Sequence, residues 1–341
     1  MTVWGMSNEY HQWLWKKGVT YSTTPRDDCP VVRTGMSEEH HQTTFCCEKA
    51  SEFIEARATS SRPWLYSVNI FDPHHAFDPP ADYLERYLER LNDIPLPNEV
   101  PGELDDKPPY QQNHIGPNSP YSGLTDYEHR LIRASYWAMG DLIDVQVGKL
   151  LEALDRSGQR DNTIVVYMSD HGEMLGDHGL YEKGAFFYEP AVHIPLMVSW
   201  PGVIQSRRSS ALVELTDLAQ TFLDAAALPH HPGMQGQSLW SLLQGQTDTH
   251  RGSVYSEYYN AKPLQTDPTA QVTMVRTETH KLVADHTHKG GELYDLVNDP
   301  SETHNLWSDP HTAAVKLSLL FELCNRMAFT VDPLPIRRSP W

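Results

Sequence analysis

The sequence predicts an α/β fold, a mostly parallel sheet flanked by helices, with a small α+β subdomain at the carboxyl end. Three observations predict it. Amphipathic helical stretches alternate with short apolar runs whose far ends carry polar residues. The runs TIVVYM (163–168) and IPLMVSW (194–200) lack polar alternation, the pattern of strands covered on both faces as in a parallel sheet. After Gly245 the pattern changes to four short segments, VYSEYY, QVTMVRT, HKLVAD and GELYDL, separated by turn residues. One helical stretch over His311–Met327 follows them, so an antiparallel sheet plus helix is expected. The domain boundary is therefore set between residues 1–245 and 246–341.

Each element has a local reason. Ser37 is placed to cap a helix running to Arg57, with Phe45, Ala50, Phe53 and Ile54 on its apolar face. The run WLYSVNI (64–70) reads as a strand and ends in Phe71-Asp72-Pro73-His74-His75. Seven prolines and no periodicity between Asp93 and Gly123 predict a long irregular excursion, a length of loop that usually carries function or lacks order. Thr125 and Glu128 form a capping-box pattern for a helix whose apolar positions include Leu131, Ile132, Met139, Ile143, Val147, Leu150 and Leu154, stopping at Gly158. Arg160-Asp161-Asn162 turn the chain into TIVVYM. Asp170 and His171 then fall just past its carboxyl end, where open α/β sheets place ligands. Pro201-Gly202 closes the next strand, and a helix is expected over Asp217–Ala227.

Composition narrows the function. Of 341 residues, 39% are hydrophobic and 21% charged, the balance of a soluble globular chain. No apolar run reaches membrane-spanning length, and the amino-terminal residues are too polar for a secretory signal, so a cytoplasmic location is expected. The formal charge of -18 repels nucleic acid and anionic membranes, leaving a small molecule as the expected partner. An anionic substrate would need local positive charge. The four cysteines, Cys29, Cys46, Cys47 and Cys324, form no Cys-x-x-Cys pair, so neither a zinc knuckle nor a disulfide framework is indicated. Oligomeric state is not legible.

The chemistry concentrates in TIVVYMSDHGEMLGDHGLYEKGAFFYE, residues 163–189. Asp supplies a hard oxygen ligand and His a borderline nitrogen, and neighbours just beyond a strand can turn toward one ion. A single Asp-His-Gly triplet is more simply a surface turn. Lys183, however, follows in a segment punctuated by Gly176, Gly179 and Gly184, spacing that implies close backbone approach and a cation facing a bound anion.

SDHGEMLGDHGLYEKGAFFYEP resembles the second signature region of the sulfatase family, in the alkaline-phosphatase-like superfamily, nearest its choline-sulfatase and phosphonate monoester hydrolase branch. VNIFDPHHAFDPP, HIPLMVSWPG and the Leu-Tyr-Asp-Leu and Asp-Pro-x-Glu-x-x-Asn-Leu elements within residues 274–306 resemble further family segments, so the likeness covers nearly the whole chain. It implies the alkaline-phosphatase-like fold and metal-dependent hydrolysis of sulfate esters, with phosphonate or phosphate esters as the alternative. It implies Asp170 and His171 as metal ligands, Lys183 on the sulfate or phosphonate oxygens, and His74 near the leaving group, with His75 as its rival. The implied cofactor is a divalent metal ion, Ca²⁺ or Mn²⁺ ahead of Mg²⁺ or Zn²⁺. Asp177 and His178, the second triplet, are read as structuring the loop.

The family's nucleophile, a formylglycine made from the Cys or Ser of Cys-x-Pro-x-Arg, has no counterpart here. Cys29-Pro30-Val31-Val32-Arg33 comes nearest, but proline follows the cysteine directly, and it is rejected. The family's opening strand with paired aspartates is also absent. The resemblance thus implies a chain opening part-way into the family pattern, its activity as written doubtful, and a non-catalytic truncated fragment is the competing reading.

Overall fold

The computed structural model describes residues 8–105, 107–116, 118–259 and 269–330. In chain order they form α1 (Glu9–Lys16), β1 (Thr24–Arg26), β2 (Cys29–Thr34), α2 (Gln42–Ala56), α3 (Ala81–Leu88), α4 (Pro109–Gln112) and α5 (Asp126–Arg156). Then come β3 (Val165–Met168), α6 (Glu189–Val192), β4 (Leu196–Ser199), α7 (Asp217–Ala225) and α8 (Trp240–Leu243). The strands β5 (Val254–Tyr259), β6 (Gln271–Arg276), β7 (His280–Asp285) and β8 (Gly290–Asp295) follow, then α9 (Ala313–Phe329). Among the described residues no helix is long and apolar enough to cross a membrane.

The chain divides into two compact units, each assembled from separated stretches. The first is Met1–Asn98, Ile115–Thr163 and Leu175–Glu182; the second is Glu99–His114, Ile164–Met174 and Lys183–Trp341.

In the first unit α5 is the central element. Thr125 and Glu128 make both halves of the capping box, and Gly158, at φ +69°, follows the helix end in the left-handed region. Its buried face, Leu131, Ile132, Met139 and Leu142, packs with Val32, Phe77, Tyr83 and Tyr181. The helix expected from Ser37 starts later. Ser37 precedes only the short turn Glu38–His40, and α2 begins at Gln42, where the His41 side chain accepts the Thr43 N–H. An imidazole nitrogen thus does the work of the expected serine. The run 64–70 makes no strand ladder; Trp64 and Tyr66 instead lie against Phe53 of α2, with ring centroids 5.6 and 4.4 Å away. Aromatic packing on a helix replaces the expected sheet pairing.

In the second unit β3 and β4 pair, Val165 opposite Ser199 and Met168 opposite Leu196, in antiparallel register. The apolar runs were expected in a parallel sheet; an unalternating run specifies a strand but not its direction. Both strands are half exposed, Met168 and Met197 openly so. The four carboxyl-terminal strands form one antiparallel sheet in the order β5-β6-β7-β8, as the sequence predicts. Strand alternation divides its two faces: Val272, Met274 and Val283 pack with Tyr110, Ala185 and Phe187, while Val275, Leu282 and Leu293 pack with Leu319 and Leu323 of α9.

Candidate active site

His74 belongs to the first unit, where its loop is fastened from both ends. The Arg33 N–H donates to the Phe77 carbonyl and the Gly35 N–H to the Pro79 carbonyl, each at 2.9 Å. A side chain at Gly35 would overlap the Asp78 carbonyl, so only glycine permits that approach. On the other side Thr43 donates to the Asp72 carboxylate, and His41 lies 3.3 Å from the same oxygen. Burial pushes the neighbouring Asp78 carboxyl up to about 7, reinforced by the Asp72 charge and opposed by Arg33.

Within this frame the His74 Nδ1–H donates to the carbonyl of His75 at 2.6 Å, which in the neutral ring puts the proton on Nδ1 and the lone pair on Nε2. His75, the rival, is committed differently: its Nε2 lies 3.5 Å from Glu182. The loop from Leu175 to Glu182 is built on α5. Arg133 pairs with Asp177, whose carboxylate also accepts the Asn98 N–H, and His178 is buried with its N–H on the Asn98 carbonyl. Leu175, Gly176, His178, Gly179 and Glu182 all take positive φ, so this loop winds tightly about those anchors.

Asp170, His171 and Lys183 belong to the second unit. The Asp170 carboxylate accepts the His171 N–H at 3.0 Å, and the His171 Nδ1–H donates to the Gly172 carbonyl at 2.9 Å. That bond turns Nε2 toward Asp170, leaving it 3.7 Å from Oδ2. Two donors each about 2.0–2.6 Å from one ion can lie that far apart, so the oxygen and nitrogen fit a single divalent cation. Among the described residues no group of three or more His, Cys, Asp or Glu gathers to hold a metal. The turn is zipped to the segment beyond Lys183: Gly172 N–H to Ala191 O, 2.8 Å, and Glu173 N–H to Pro190 O, 3.1 Å. A Cβ on Gly172 would fall on the Pro190 carbonyl.

Lys183 is partly buried, and Gly184 beside it lies against the rings of Phe186 and His114. Downstream, the backbone is held by charges that sequence reasoning missed. Buried Lys281 donates to the Phe187 carbonyl and pairs with Glu189 and Glu302 at 2.8 and 2.6 Å. Burial raises the Glu189 carboxyl, yet His193, Lys281 and Arg276 outweigh it and hold it well below the usual range. Glu302 also accepts the Glu189 N–H. Buried Lys107 and Gln111, from the proline-rich excursion, reach Glu292, and Tyr188 donates to Gln111. The signal for Glu302 was present in the Asp-Pro-x-Glu element; Lys107 and Lys281 carried none.

Cys29 is buried in β2 with its thiol pushed up by burial, which removes the thiolate a nucleophile needs.

Helices on sheets, a carboxyl-terminal antiparallel sheet with its helix, and an Asp-His pair beyond a strand define the alkaline-phosphatase-like class of α/β hydrolases. The sulfatase pattern matches residues 3–228, and the pattern for the carboxyl-terminal part of N-sulphoglucosamine sulphohydrolase matches residues 176–328. The chain belongs to the sulfatase family. It is 31% identical over 337 residues to the uncharacterized sulfatase YidJ of Escherichia coli K12, covering 94% of this chain and 64% of that protein. It is 27% identical over 277 residues to an arylsulfatase of Clostridium perfringens, covering 80% and 55%. Among solved structures, the phosphonate monoester hydrolase SpPMH of Silicibacter pomeroyi superposes with a TM-score of 0.82 at 25% identity, over 96% of this chain and 70% of that one. The chain thus spans less than two thirds of the two relatives' length.

Proposed function

We propose that this chain carries the anion-binding and part of the metal-binding half of a sulfatase that hydrolyses small-molecule sulfate esters. Residues 1–245 are the catalytic part and 246–341 the carboxyl-terminal subdomain. The observation that carries the reading is the pair of donors, Asp170 Oδ2 and His171 Nε2, held 3.7 Å apart by a fixed imidazole just past β3. Asp170 and His171 would hold a divalent cation, Ca²⁺ or Mn²⁺ ahead of Mg²⁺ or Zn²⁺ on the family resemblance. Such an ion polarises the ester oxygens when bound. Lys183 adds a point charge to the same anion. His74, with Nδ1–H engaged by a carbonyl, would deliver a proton to the departing alkoxide from Nε2–H in its doubly protonated, imidazolium form. The pairing of His75 with Glu182, chain neighbour of Lys183, supports His74 over His75 for that role.

A covalent route needs a nucleophile, and none of the 341 residues lies in a Cys-x-Pro-x-Arg motif. Turnover is therefore proposed for a longer form that includes one. The likeness to SpPMH supports a second reading, a phosphonate monoester substrate, since both substrates are tetrahedral anions.

The metal half of the proposal is tested by calorimetry on the 341-residue chain. Two donors leave a cation largely hydrated, so Mn²⁺ should bind weakly and the heat should vanish in His171→Ala. Tight stoichiometric binding, or binding indifferent to His171, would refute the assignment.

A further inference from the structure

The proline-rich excursion joins the second unit through α4 and the residues on either side of it. Three of its residues grip the stretch that follows Lys183. Tyr110 packs with Ala185 and Phe187 on one face of the carboxyl-terminal sheet. His114 stands edge-on to Phe186, with ring centroids 5.0 Å apart at 88°, and its ring lies beside Gly184. A Cβ on Gly184 would come within 2.8 Å of the Phe186 ring and 3.3 Å of the His114 ring, so the two rings close over bare backbone. Gln111, 1% exposed, accepts from the Tyr188 hydroxyl at 3.0 Å and donates to Glu292. Lys107 donates to the other oxygen of Glu292 and to the Tyr294 hydroxyl, so a buried cation pins the excursion itself to β8.

We infer that the stretch from Tyr110 to His114 is the positioning element of Lys183, with Gln111 and His114 acting through that lysine on the bound anion. The inference rests on the proposed reading of Lys183 as the cation facing the substrate anion. A lysine is a point charge on a flexible stem, so its effect on an anion depends on how firmly its backbone is held. Beyond Lys183 the chain is held at two places. Lys281 and Glu302 hold Phe187 and Glu189, the far end. The excursion holds Gly184 to Tyr188, the near end. The near anchor meets the residue next to Lys183, so it decides where the ammonium stem starts. It also gives a role to a loop of a length that usually carries one.

The test is protection of Lys183 by inorganic sulfate in the full 341-residue chain. Acetylation by acetic anhydride is read residue by residue by mass spectrometry, with exposed Lys16 as the internal standard. In the parent, sulfate should slow acetylation of Lys183 and leave that of Lys16 unchanged. His114→Ala and Gln111→Met should need about tenfold more sulfate for the same protection, the scale of one charge-assisted contact no longer held in place. His114→Phe, which keeps a ring against Gly184 and Phe186, should stay close to the parent. Leu319→Ala, a buried change in α9 on the other face of the sheet, controls for lost stability: it should lower Tm and keep the protection. Unchanged protection in His114→Ala and Gln111→Met overturns the inference and leaves the reading of Lys183 intact. So does an equal loss in Leu319→Ala, or a His114→Phe as poorly protected as His114→Ala. Sulfate that protects Lys183 in none of the proteins refutes the reading of Lys183 itself, and the inference with it.

Discussion

Asp78 shows how a single residue senses the frame behind His74. Its carboxyl is pushed up to about 7 by burial and by Asp72, against Arg33, so folding favours its neutral form. The sign follows from linkage: this contribution to stability is complete below the unfolded carboxylate range near pH 4 and is lost as pH rises through about 7. Asp78→Asn, which stays neutral, should lose less stability than the parent between about pH 5 and about pH 8. Urea midpoints at the two pH values check it, and an equal fall in both proteins would show that Asp78 ionises without cost. At the same scale, His171 and His74 use one device, a ring Nδ1–H on the carbonyl of the following residue, to set which nitrogen faces outward.

Among the elements, what was legible in the sequence was what is local. The Thr125–Glu128 capping box, the stop at Gly158 and the four carboxyl-terminal strands stand where pattern and turn residues put them, because each is decided within a few residues. The antiparallel pairing of β3 with β4 and the packing of 64–70 on α2 depend on distant partners, and no local pattern encodes direction or partner. The residues of the candidate site were legible by resemblance, whereas the ion pairs that fix the Lys183 segment were not, since Lys281 and Glu302 meet Glu189 only in the fold. Their importance is testable. Lys281→Met leaves buried Glu302 without its cation, while Glu189 keeps Arg276 and His193, and should cost about 3–5 kcal/mol in unfolding free energy. A loss under about 1 kcal/mol, the scale of an exposed pair, would mean the network does not anchor the segment.

For the whole molecule, the central issue is completeness. The chain covers 64% and 55% of two family relatives, and the apolar side chains Leu65, Tyr66, Met168 and Met197 lie exposed. The proposed reading assigns turnover to a longer form that bears the nucleophile. The most direct measurement compares aryl sulfate turnover by the purified 341-residue chain with that of a version extended by a Cys-x-Pro-x-Arg-bearing segment. The account predicts no turnover by the chain alone, turnover by the extended version, and a loss of about two to three powers of ten in the extended Lys183→Ala variant. Turnover by the 341-residue chain alone, abolished by Lys183→Ala, would contradict it, because the nucleophile would then lie among residues where none has been assigned.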